Sequence, residues 1–133
     1  MRPLYVIGVV CLVAVALLYV FMRMPIVNMK TVRNVQAKQD ATYLAFACNA
    51  YRMEYGVFPA ASEQRDILRI LEKDNERHIA FIERTEKNTS AKGTFDDPWG
   101  TPYVFDFRDL STPTVLSAGP DHQPHTDDDV SNL

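Results

Sequence analysis

A chain of 133 residues with a formal net charge of -3 and 47% apolar residues can build one modest core once its wholly apolar first stretch is set aside. Charges of both signs are interspersed through the middle, so no basic stripe follows a phosphate backbone and nucleic acid is disfavoured as a partner. Cys11 lies in the apolar stretch and Cys48 in a helical pattern; a bilayer would separate them, and no intrachain disulfide is expected.

The run Leu4 to Met22, LYVIGVVCLVAVALLYVFM, is uncharged. As a helix of roughly 19 residues it spans about 29 Å, the thickness of a hydrocarbon core. Arg23-Met24-Pro25-Ile26-Val27 offers no small-x-small cleavage site, so a retained anchor over residues 1–24 is expected rather than a cleaved signal. Arg23, Lys30, Arg33 and Lys38 follow the span, and by the positive-inside rule alone they would hold that side in the cytoplasm. The acidic loop described below, with the affinity of an extracellular calcium module, argues for the opposite orientation.

Residues 25–133 read as the folded domain. Ala37, Ala41, Leu44, Cys48, Tyr51 and Tyr55 recur at steps of four and three, which predicts a long amphipathic helix over Val32 to Tyr55 that continues from the anchor through a bend near Pro25, with Gly56 as its C-cap. Ser62 is expected to cap a second helix running to about Lys73, with Ile67, Leu68 and Leu71 inward. Ile79 to Ile82 reads as a strand or extended edge, and Thr85 to Thr94 as a polar, turn-rich, mobile segment whose Asn88-Thr89-Ser90 formally matches a glycosylation sequon. Tyr103 to Phe107 alternates apolar with mixed residues and Thr114 to Ser117 is β-branched and apolar, which predicts two antiparallel strands joined by Arg108 to Pro113. A small sheet laid across a long helix is an α+β architecture.

Two further stretches carry motifs. In Asp97-Pro98-Trp99-Gly100-Thr101-Pro102-Tyr103, the prolines fix φ, Gly100 permits a turn, and Trp99 offers a large apolar surface to anchor that turn on the core. In Ser117-Ala118-Gly119-Pro120-Asp121 followed by Asp127-Asp128-Asp129-Val130, four carboxylates within nine residues repel one another unless solvated, protonated or neutralised by a cation. Hard oxygen ligands in a flexible loop suit Ca²⁺. The loop is not an EF-hand, because the sixth-position glycine and twelfth-position glutamate are missing. A solvated acidic tail is the plainer reading, but the Ser-Ala-Gly-Pro-Asp entry and the Val130 exit imply a loop pinned at both ends.

Together with Tyr55-Gly56-Val57-Phe58-Pro59 at the helix end, these stretches occur in the order found in the major pseudopilins of type II secretion systems, and the chain from Asp40 to Val130 resembles that family. The resemblance implies a pilin-like fold: a long N-terminal helix, transmembrane then amphipathic, packed on a small antiparallel sheet with a C-terminal metal loop. It implies a calcium site at Asp121, Asp128 and Asp129, with the Leu116 carbonyl, Ser117 and Thr126 as lesser ligands and Asp127 as a bystander. It further implies a single-pass subunit of the bacterial inner membrane with its domain in the periplasm, and partners that are copies of itself or other components of the machine. His122 and His125 stand where the family commonly has glycine or another small residue, and imidazoles beside carboxylates are donors for Zn²⁺ or another transition metal. The family's Gly-Phe-Thr-Leu-x-Glu processing segment has no counterpart in the sequence, so processing by a prepilin peptidase and assembly through the helix glutamate are not expected to follow the family's route.

Three functional classes follow: a structural subunit or accessory of a secretion or pilus machine with a calcium-stabilised loop; a tethered module that recognises a partner through that loop or through the helix surface around Tyr43 and Phe46; and a metal-dependent hydrolase using His122, His125 and Asp121. The hydrolase would need an open metal position beside a pocket with a placed base. The sequence offers no nucleophile constellation, and no enzyme is expected.

Overall fold

The computed structural model describes residues 2–22, 28–85 and 89–133; of residues 2–10 and 21 only the helical backbone is described. Helix α1 runs Arg2–Met22 and covers the expected span. Residues 11–20 are all exposed. Among the described residues no helix is long and apolar enough to cross a membrane, and of the first half of α1 only the backbone is described. The expected bend near Pro25 also falls outside them.

Helix α2, Met29–Tyr55, is the spine of the domain. Asn28 starts it by accepting a hydrogen bond from the Lys30 amide at 3.0 Å, so the helix begins three residues before the expected start at Val32. Gly56 ends it in the left-handed conformation, φ 79°, donating to the Arg52 carbonyl at 2.7 Å as the αL cap requires. The predicted stripe is the buried face, where Ala37, Ala41, Leu44 and Cys48 are fully covered. Its many alanines let the sheet approach closely. Burial also pushes the Cys48 thiol up to about 12, which leaves it an apolar packing group rather than a nucleophile.

The covering sheet has three antiparallel strands in the order β1 (Val104–Asp106), β2 (Thr114–Ser117), β3 (Val130–Ser131). Val104 pairs with Leu116, which pairs in turn with Ser131, while Ser117 pairs with Val130. β1 is shorter than the expected Tyr103 to Phe107, and β3 was not foreseen. Asn132 extends the ladder: its amide donates to the Val115 carbonyl and its side-chain oxygen accepts from the Val115 amide at 2.6 Å. Val115 is fully buried against α2.

Helix α3 runs Gln64–Glu72 and buries Ile67, Leu68 and Leu71, each burial contributing about 1.5–3 kcal/mol. Ser62 does not cap it. The N-cap is Glu63, without a side-chain hydrogen bond, because the start is set by a tertiary clamp: Gln64 Nε2 donates to the Phe95 carbonyl at 2.8 Å and Gln64 Oε1 accepts from the Phe95 backbone amide at 3.3 Å. Residues 79–82 form no strand; Phe81 and Ile82 donate instead to the Leu71 carbonyl at the end of α3. Of the expected mobile segment, residues 86–88, and with them the sequon asparagine, lie outside the described residues. The part that follows is turned on Ser90, whose hydroxyl meets that of Thr94 at 2.6 Å.

Candidate metal-binding loop

The Asp-Pro-Trp-Gly turn is built around a buried carboxylate. Asp97 is 5% exposed; its Oδ1 accepts from the amides of Trp99 at 3.0 Å and Thr101 at 2.9 Å, while the Gly100 amide donates to its carbonyl. Gly100 has φ 87°, a conformation that favours glycine. The turn feeds Tyr103 into the core, where it meets the Phe95 ring edge-on at 5.9 Å between centroids and its hydroxyl donates to the Ala37 carbonyl. Trp99 differs from expectation. It is only partly buried and lines a notch with Met29, Lys30, Arg33 and Pro120, because Phe95 and Tyr103 already fill the core beneath the turn.

The acidic loop, residues 118–129, joins β2 to β3, so the sheet pins it at both ends. At its entry the fully buried Ser117 donates to Asp97 Oδ2 at 2.5 Å and accepts from the Gly119 amide at 3.2 Å. The Ser117 hydroxyl, expected among the lesser metal ligands, is therefore committed to the turn. Gly119, at φ 63°, lies so close to the returning chain that an added Cβ would stand 2.4 Å from the Asp128 carbonyl oxygen. Farther along, His122 Nδ1 lies 2.6 Å from Thr101 Oγ1 and makes a second link between loop and turn.

Inside the loop the oxygens gather on Thr126. Its hydroxyl is 2.7 Å from Asp128 Oδ1, 3.2 Å from the Gln123 carbonyl and 3.4 Å from Asp129 Oδ1. A hydroxyl carries one proton, so three acceptor oxygens share a single donor there. The other oxygens of the two carboxylates are satisfied by backbone: Asp128 Oδ2 accepts from the Asp121 amide at 3.2 Å, and Asp129 Oδ2 accepts from the His125 and Thr126 amides at 2.6 and 3.2 Å. The Thr126 hydrogen bond is the main cause that holds the Asp128 carboxyl below the usual carboxylate range. The Asp128 and Asp129 carboxylates are thus oriented by the loop's own donors, and such hard oxygen donors fit a calcium ion.

The remaining expected ligands are placed less directly. Asp121 turns its carboxylate to the Gln123 amide at 2.8 Å. Asp127 is exposed, and Leu116 lies in the central strand, paired on both sides. His122 points to Thr101, and His125 is near enough to Asp106 to help lower that carboxyl. Among the described residues no three His, Cys, Asp or Glu side chains come together as a metal-holding group. The Gln123 carbonyl was not foreseen, because a backbone oxygen leaves no signature in sequence. Both histidines stand in the left-handed region, His122 at φ 61° and His125 at φ 72°. That conformation favours glycine over any residue with a Cβ.

The type II secretion system protein G family matches residues 26–133. No curated protein matches the chain. Among solved structures, the major pseudopilin from the type 2 secretion system of enterohaemorrhagic Escherichia coli is similar in fold, with a TM-score of 0.57 and 24% identity over 79% of this chain and 90% of that one. The order of the helix-end, Asp-Pro-Trp-Gly and acidic-loop motifs, the helix-on-sheet fold and this match over most of the length agree: the chain belongs to the type II secretion system protein G family, the major pseudopilins.

Proposed function

We propose that the chain is a structural subunit or accessory of a secretion machine, anchored by α1 in the bacterial inner membrane with residues 25–133 on the periplasmic side and its C-terminal loop stabilised by Ca²⁺. The observation that carries the calcium reading is the cluster at Thr126, where Asp128, Asp129 and the Gln123 carbonyl crowd one hydroxyl proton. Asp128, Asp129 and Thr126 would hold the ion, with Asp121 next to them in the loop. When bound, calcium supplies charge neutralisation and joins the two limbs of the loop, a folding role expressed by mass action. The anchor reading is supported by α1 itself: the described half exposes Leu12, Leu17, Leu18 and Met22 to more than half of their full extent, and a helix apolar all round requires apolar cover.

The test is the melting temperature of the full chain in detergent, with calcium and with chelator. Calcium is expected to raise it, and Asp128→Ala to abolish the response. Identical melting in both conditions rejects the metal. A second reading, a tethered module that binds a partner instead of assembling, is favoured by one observation: Phe46 on α2 is 73% exposed. Crosslinking in native membranes separates the two, since ladders of self-multimers support the subunit and a single heterologous adduct supports the module.

A further inference from the structure

The notch between the start of α2 and the Asp-Pro-Trp-Gly turn has a volume of about 410 Å³ and is lined by Met29, Lys30, Arg33, Trp99 and Pro120. Lys30 and Arg33 are exposed and stand at i and i+3 on one helix face. The other described arginines of the domain, from Arg52 to Arg108, are all held by carboxylates, carbonyls or aromatic rings, whereas neither notch cation makes an ion pair among the described residues. The chain's single tryptophan is half-buried beside them with Met29 exposed at the rim. Two unpaired cations flanking an amphipathic ring match a surface that is anionic outside and apolar beneath. Trp and Lys or Arg take that arrangement at a lipid headgroup layer.

We infer that the notch of Lys30, Arg33 and Trp99 docks the base of the domain on anionic lipid headgroups. The occupant is chosen by charge complementarity and by chain continuity. Lys30 follows Met22, the last residue of α1, by eight positions in the sequence, a reach of at most about 28 Å. If α1 is in the bilayer, the cations are confined to the neighbourhood of its surface. The inference therefore rests on the anchor reading. An acidic protein segment offers the same charges without the apolar layer that Trp99 and Met29 require. Docking would fix the orientation of the domain on the membrane before any partner meets it.

The full chain is reconstituted in phosphatidylcholine vesicles with and without phosphatidylglycerol, and Trp99 fluorescence is excited at the red edge to spare the tyrosines. Phosphatidylglycerol is expected to shift the emission to the blue and to make it accessible to lipids brominated near the headgroup. High salt should reverse this, and the Lys30→Glu/Arg33→Glu variant should lose most of the response while melting like the parent, since both side chains are exposed. Emission indifferent to phosphatidylglycerol, or a response retained in the double variant, overturns the inference. So does a response to soluble polyglutamate in detergent with none to vesicles, which would assign the notch to an acidic protein. Alkaline carbonate extraction keeps the two readings apart: release of the chain from vesicles defeats the anchor, whereas a retained chain with an unresponsive Trp99 defeats only the docking.

Discussion

Ser117 at the end of β2 and Asp97 at the start of the Asp-Pro-Trp-Gly turn, twenty positions apart in sequence, share a 2.5 Å hydrogen bond with both side chains buried. The bond joins two of the three motifs by which the sequence resembles its family, so the turn and the loop are one structural unit. Its energetic weight follows from counting donors. Asp97 accepts from two amides and one hydroxyl, and Asp97→Ala strands all three, at a cost of about 3 kcal/mol or more. Asp97→Asn should be far milder. The retained oxygen can still serve both amides, and the Ser117 hydroxyl can rotate to accept from the new NH₂. Thermal melts that rank parent, Asn and Ala in that order, with Ser117→Ala costing about 1–3 kcal/mol, check this account; equal losses for Asn and Ala would contradict it.

Gly119 makes a sharper prediction, because the obstacle is backbone. Gly119→Ala must accept a left-handed φ, at about 1–2 kcal/mol, and must also move the Asp128 carbonyl that its Cβ would meet at 2.4 Å. A rigid neighbour adds an overpacking term of about 1–3 kcal/mol. The expected loss is therefore roughly 3 kcal/mol. Since displaced backbone carries the Asp128 side chain with it, any calcium response should weaken in parallel. A melt within about 1 kcal/mol of the parent would mean the loop yields there.

How far the sequence disclosed this architecture depended on whether the signal was periodic or tertiary. The α2 stripe was legible because Ala37, Ala41, Leu44 and Cys48 repeat at helical steps, and β2 because Thr114 to Ser117 is β-branched and apolar. β3 was not, since two residues contain no period and Val130 and Ser131 are strand only by virtue of their pairing with β2. Ser62 carried a cap signal that lost to the Gln64 clamp on Phe95, a contact between residues 31 positions apart. Trp99 read as core by size, yet Phe95 and Tyr103 occupy the core and leave it at the notch. In the loop the carboxylates were plain from composition, but their partition was not. Asp128 and Asp129 converge through Thr126 and Gln123, whereas nothing in the run of three aspartates distinguishes them from Asp127.

The acid side of the stability curve should be steep. Asp106 is lowered to about 2, chiefly by its hydrogen bond from Arg108, while Asp109 and Asp128 are lowered by hydrogen bonds from Ser111 and Thr126. A carboxyl depressed below its unfolded value binds fewer protons in the native state. Its contribution is present above the unfolded value, near 3.8, and is lost as pH falls through the folded one. Asp40 acts in the opposite sense, because desolvation raises it and protonation relieves the cost. Three groups against one predict falling melting temperatures from about pH 4 to about pH 2. Asp106→Asn should flatten the lower part of that range, and an unchanged slope in that variant would show that the exposed pair with Arg108 is fully screened.

His122 offers a test of backbone against side chain. At φ 61° any residue with a Cβ is disfavoured by about 1–2 kcal/mol relative to glycine, and the imidazole offsets part of that through Thr101 Oγ1 at 2.6 Å. His122→Ala keeps the strain and loses the link; His122→Gly loses the link and removes the strain, though it loosens the unfolded chain by about 0.4–1 kcal/mol. Elsewhere in a folded protein Ala is ordinarily the more stable of the two. Here the order should invert, with the Gly variant more stable than the Ala variant by about 1 kcal/mol. Denaturant midpoints at constant slope measure the difference directly. If Ala proves equal or better, His122 is not held left-handed in solution.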